Sequence, residues 1–107
     1  MTADLLFEIV HGPVDDRDRL ESLEPVLAAA TLELDIDVLF RGAGAGHLAG
    51  PGSERWSQVI DFDLGRLWLH LDAVDQDFFE STVVEAERIG ADEVEQLRRR
   101  ARKIVAL

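Results

Sequence analysis

The chain has 107 residues, 47% of them hydrophobic and 31% charged, which is length enough for one buried core and too apolar for a disordered segment. Acidic residues outnumber basic ones 22 to 11, a formal net charge of −11; a field of that sign repels phosphate backbones and anionic lipid surfaces, so the expected partners include neither nucleic acid nor membrane. There is no cysteine, which removes disulfides, thiolate metal sites, thiol nucleophiles and persulfide carriers together.

No stretch reaches the roughly 18 uncharged apolar residues of a membrane span. Asp4 and Glu8 interrupt the first apolar run and no basic leader precedes it, so the expectation is a cytoplasmic protein without a signal peptide.

Leu5–Val10, ending at His11-Gly12-Pro13, is a short apolar run closed by breakers and predicts a buried strand. Asp15, Asp16 and Asp18 then precede Leu20, Leu23, Val26, Leu27, Ala30 and Leu34, whose spacings of three and four draw one apolar stripe along a helix. Pro25 leaves two starts open: Ser22 as N-cap with Pro25 in the first turn, or an earlier start with a kink at Pro25. Ile36–Phe40 predicts a second strand. Residues 41–52 carry Gly42, Gly44, Gly46, Gly50 and Gly52, a composition that predicts a flexible loop. Ser53–Phe62 reads as a short helix with Ser53 as cap and Trp56, Val59 and Ile60 inward.

Arg66–Leu71 alternates, with Leu67, Leu69 and Leu71 on one side and Arg66, Trp68 and His70 on the other, so one face of this third strand is not wholly buried in the domain's own core. Residues 73–81 predict a short turn-helix connection and Val83–Ala86 a fourth strand. Asp92–Arg102 predicts a helix with Val94, Leu97 and Ala101 on one face and a Glu95–Arg99 pair, and Lys103–Leu107 a closing strand. Alternation of short strands with helices implies one α/β domain over residues 1–107: three layers, flavodoxin-like, around a mostly parallel sheet of about five strands.

Gly44-Ala45-Gly46-His47-Leu48-Ala49 formally fits the G-x-G-x-x-G/A pattern that lets backbone amides approach a pyrophosphate, but it follows the second strand rather than the first. Gly44, Gly46 and His47 are therefore ligand candidates only as members of a loop at the carboxyl edge of a sheet. His11 and His47 both follow strands, and with Asp15 or Asp16 they offer a conceivable metal set, though no H-x-H or H-x-x-x-H pair supports one, and no metal or other cofactor is expected. Asp35 and Asp37, Asp61 and Asp63, and Asp75 and Asp77 read as solvated turn residues. Arg98, Arg99, Arg100, Arg102 and Lys103 read as a helix terminus whose cations meet its carbonyls and the upstream acids. No catalytic constellation is visible, so the chain is not expected to be an enzyme.

The layout resembles the DsrE/DsrF-like family, in particular the DsrF and TusC type of sulfur-relay subunit. The resemblance runs through the first strand and its His11-Gly12-Pro13 loop, Leu23-Glu24-Pro25-Val26-Leu27-Ala28-Ala29-Ala30, Leu34-Asp35-Ile36-Asp37-Val38-Leu39-Phe40, the short helix at His47-Leu48, Asp92-Glu93-Val94-Glu95-Gln96-Leu97, and the closing strand. Arg41-Gly42-Ala43-Gly44 stands where such proteins carry an Asp-Gly turn. The resemblance implies a partner that does not itself carry sulfur, assembling with itself or with a cysteine-bearing homologue. The alternative is a small-molecule or nucleotide-binding module using the 41–52 loop. Trp68, His70, Phe78 and Phe79 are the interface candidates, because large rings on an incompletely covered strand bury much area for little entropy.

Overall fold

The computed structural model describes residues 2–72 and 84–107. Its elements are β1 (Ala3–Ile9), α1 (Asp16–Thr31), β2 (Ile36–Arg41), 3-10 turns at Gly42–Leu48 and Ser53–Trp56, α2 (Ser57–Asp61), β3 (Arg66–His70), β4 (Glu87–Arg88), α3 (Ala91–Arg100) and β5 (Ala101–Ala106). The strands form one sheet in the order β4-β3-β2-β1-β5, and every pairing is parallel. β1 lies inside the sheet, as its apolar run requires. The expected three-layer α/β architecture is what the chain adopts.

Successive residues of a strand point to opposite faces, and here the two faces have different covers. Phe7, Ile9, Val38, Phe40, Leu67 and Leu69 pack with Leu23, Val26 and Ala29 of α1 and with Leu48, Trp56 and Val59. On the other side Leu6 and Leu39 meet Val94 and Leu97 of α3, with Trp68, Ile89 and Ala101 at the margin. The first is called the α1 face below and the second the α3 face. Among the described residues no helix is long and apolar enough to cross a membrane.

Several local expectations change. The first helix takes the earlier of its two starts: Asp15 caps it by accepting from the Asp18 N–H at 3.0 Å, and Pro25 sits inside it, leaving the Glu21 carbonyl without its helical donor. Ser53 is not a cap; it is buried behind Gly52, and its hydroxyl donates to the Gly50 carbonyl at 2.7 Å. Trp56 and Val59 are buried as expected, but Ile60 is 45% exposed. The fourth strand is Glu87–Arg88, because Val84 turns into the core and its N–H donates to the Leu48 carbonyl. The last helix ends at Arg100 and passes directly into β5 through the extended Ala101. The connection expected over 73–81 lies outside the described residues.

Candidate functional site

The glycine-rich segment is packed down rather than open. A Cβ on Gly44 would lie 2.0 Å from the Ile9 carbonyl oxygen, so only glycine lets this turn rest on the end of β1. Gly44, Ala45, His47 and Leu48 are buried. Arg19, 6% exposed on α1, donates to the carbonyls of Pro51 at 2.7 Å, Ala49 at 2.9 Å and Gly46 at 3.2 Å, and less closely to that of His47 at 3.4 Å. A phosphate cradle converges backbone N–H groups on an anion; this loop converges carbonyls on an internal cation. Gly44 and Gly46 thus take part in a loop closed onto the protein, which replaces the flexible loop expected from composition.

His47 is 1% exposed, its Nε2–H donating to the His11 carbonyl at 3.0 Å and its ring set edge-on to Trp56 at 5.8 Å. Burial lowers its pKa, Arg19 adds to that, and the His11 carbonyl opposes it. The loops after β1 and β2 do converge, as expected, but they meet through the backbone of His11, whose side chain is exposed. Asp15 caps α1, and Asp16 holds Arg55 in a two-point ion pair at 2.8 and 3.0 Å. Among the described residues no three of His, Asp and Glu gather as a metal set.

The α3 face holds what sequence reasoning missed. Asp37 is not a solvated turn residue: it lies in β2 with no exposed surface. Its carboxylate accepts from Arg66 Nε at 2.7 Å, Trp68 Nε1 at 2.9 Å, and Arg100 Nε and Nη2 at 2.9 and 2.8 Å. Arg66 also reaches Asp35 at 2.7 Å. A buried carboxylate is tolerated when its lone pairs are filled this way. A second node forms one strand over, where Glu8 of β1 accepts from Arg98 at 2.8 Å and more weakly from Arg41 at 3.4 Å. The Glu8 hydrogen bond, ahead of the smaller contribution of Glu95, raises the Arg98 pKa above its ordinary value.

Two members of the terminal basic cluster, Arg98 and Arg100, therefore reach across to the sheet and fasten α3 to it, rather than only neutralising their own helix end. Glu95 pairs with Arg98 at 3.1 Å, three residues on, instead of with Arg99. Arg99, Arg102 and Lys103 are exposed.

Trp68 stands at the margin of this face, half-buried, with the Arg100 guanidinium 5.6 Å from its ring centre. Open clefts lie on either side of it. One of about 700 Å³ is lined by Ile60, Arg66, Trp68, Ala86 and Arg88 among others. The other, of about 250 Å³, runs between Trp68 and Glu93, Gln96 and Leu97 of α3. His70 follows on the same face and its Nδ1–H donates to the Ile89 carbonyl at 2.9 Å. Phe78 and Phe79 lie outside the described residues.

No known family model matches this sequence, and no curated protein matches it. Among solved structures the fold is similar to that of the ychN protein from E. coli, with a TM-score of 0.74 over 100% of both chains at 13% identity. That identity carries the fold.

Proposed function

We propose that this chain is a non-catalytic interaction subunit, similar to the DsrF and TusC type of sulfur-relay protein, that assembles with copies of itself or with a cysteine-bearing homologue. The observation that carries the reading is the incomplete cover that the described residues give the α3 face. Among them a single helix of 10 residues packs there, and Trp68, half-buried, stands between two clefts with its indole N–H already satisfied by Asp37. An aromatic ring fixed at its polar end and open along its body makes a good interface anchor, since little side-chain freedom remains to be lost on docking. The absence of cysteine fits a partner of a sulfur carrier rather than a carrier. The fold shared with the ychN protein supports the architectural half of the reading, and the helix and strand layout quoted above supports the family half.

Sedimentation velocity at micromolar concentration tests it. The expected result is a species heavier than the 11.9 kDa chain, shifted toward that mass by Trp68→Ala. A wild-type protein that sediments at the mass of one chain, and that captures no cysteine-bearing homologue, contradicts the reading.

A further inference from the structure

A third cleft, of about 320 Å³, opens where β1, β2 and β3 end, lined by Val10, Arg41, Gly42, His70 and Asp72. This is the carboxyl edge of a parallel sheet, where strand ends and their loops leave a crevice for a ligand. We propose that it binds a small molecule bearing an oxyanion, a phosphate or a carboxylate, through Arg41 and His70. The site does not use Gly44 or His47, which face the core, and it lies two residues along β3 from Trp68.

Three observations converge on this. Arg41 and His70 are register partners on adjacent strands, so their side chains share one face at the rim. Arg41 is underused: its one ion-pair contact among the described residues is Glu8 at 3.4 Å, and Glu8 is held closer, at 2.8 Å, by Arg98. Its Nε is buried and has no partner among the described residues. A guanidinium carries five N–H donors in a fixed fork that matches a planar or tetrahedral oxyanion, and a buried donor without an acceptor is costly. His70 has its Nδ1–H committed to the Ile89 carbonyl, which fixes the ring with Nε2 toward the ligand; in the imidazolium form Nε2–H donates to the oxyanion, so anion and proton bind there together.

The volume lies at the small end of ligand sites, which fits a phosphate monoester or a short dicarboxylate. Asp72 at the rim, itself engaged by a neighbour, and the net charge of −11 oppose loose accumulation of anions. Binding therefore has to come from the local fork and not from the protein's overall field.

The test titrates inorganic phosphate into the whole chain at ionic strength held constant with chloride, following the imidazole nitrogens by NMR and the unfolding temperature in parallel; malonate is titrated in a second arm. The expected result is a saturable shift of the His70 resonances with His11 unmoved, and a stabilisation that grows with ligand concentration. Arg41→Gln should weaken binding by about tenfold or more, the effect of losing a charge-assisted fork, Arg41→Lys by less, and Arg55→Gln not at all. Saturation by phosphate alone, by malonate alone or by both supports the site and names the ligand's head group. No saturable shift of His70 with either anion overturns the proposal, and this arm needs no variant to fold. Equal affinity of Arg41→Gln and wild type overturns it as well.

Discussion

The two faces of the sheet solve the same covering problem by different chemistry. On the α1 face Val38, Phe40, Leu67 and Leu69 are at or near zero exposure beneath α1, Leu48 and Trp56. Each large apolar side chain buried there contributes about 1.5–3 kcal/mol of transfer free energy. On the α3 face a small apolar cluster of Leu6, Leu39, Val94 and Leu97 is flanked by Asp37, Arg41, Arg66, Trp68 and His70, and ion pairs and hydrogen bonds to Asp37 carry much of the contact. Buried ion pairs return little net stability, because desolvation offsets most of the attraction, but breaking one is costly. The first face supplies the free energy of folding. The second fixes where α3 sits and leaves Trp68 half-buried at its margin.

If that division holds, Phe40→Ala should be the most damaging single change. It removes a fully buried ring set edge-on to Trp56 at 4.9 Å, and a loss of about 4 kcal/mol is expected, read from the midpoint of urea unfolding. Asp37→Asn should follow at about 3 kcal/mol, since Arg66 and Arg100 are then held against a neutral amide. Replacing the hub by an apolar network instead, with Asp37, Arg66 and Arg100 all changed, should recover part of that loss. If Asp37→Asn costs no more than a surface change, the α3 face is not organised by this carboxylate.

The overall architecture was legible because it depends on local patterning: alternating short apolar runs and amphipathic stretches suffice to place four of the five strands and both long helices. The α3-face network was not, because Asp37's partners lie 29, 31 and 63 residues away, and an aspartate two residues from Asp35 reads locally as a turn. A sharper signal was present in hindsight: Ile36-Asp37-Val38-Leu39-Phe40 places one carboxylate inside an otherwise apolar strand, which demands a buried cation. The glycine loop misled for the same reason. Its fixing cation, Arg19, sits 27 to 32 residues upstream, and glycine content alone does not distinguish a flexible loop from one pressed against a neighbouring backbone.

The α1 face should also carry a pH dependence, through His47. With the His47 pKa held below its ordinary value by burial, the unfolded chain takes up a proton that the folded chain refuses. Stability is therefore expected to fall as the pH drops from roughly 6.5 toward the folded pKa, and to be insensitive to this group above roughly 6.5. His47→Gln should flatten that part of a stability-against-pH curve, measured by thermal unfolding. At the small end, Arg17→Ala removes an ion pair whose side chains are 85% and 64% exposed, and should change stability by less than about 0.5 kcal/mol.

The claim that the α3 face is a docking surface is tested most directly by Trp68 itself. The chain has two tryptophans, and Trp56→Phe leaves Trp68 as the one reporter. Trp56 Nε1 has no hydrogen-bond partner among the described residues, so this substitution forfeits no such bond. On dilution of that variant from tens of micromolar to nanomolar, the account predicts a red shift of the emission as Trp68 is released into water, in step with a falling sedimentation coefficient. Emission that stays constant across the whole range, while the sedimenting mass falls or remains that of one chain, would contradict it.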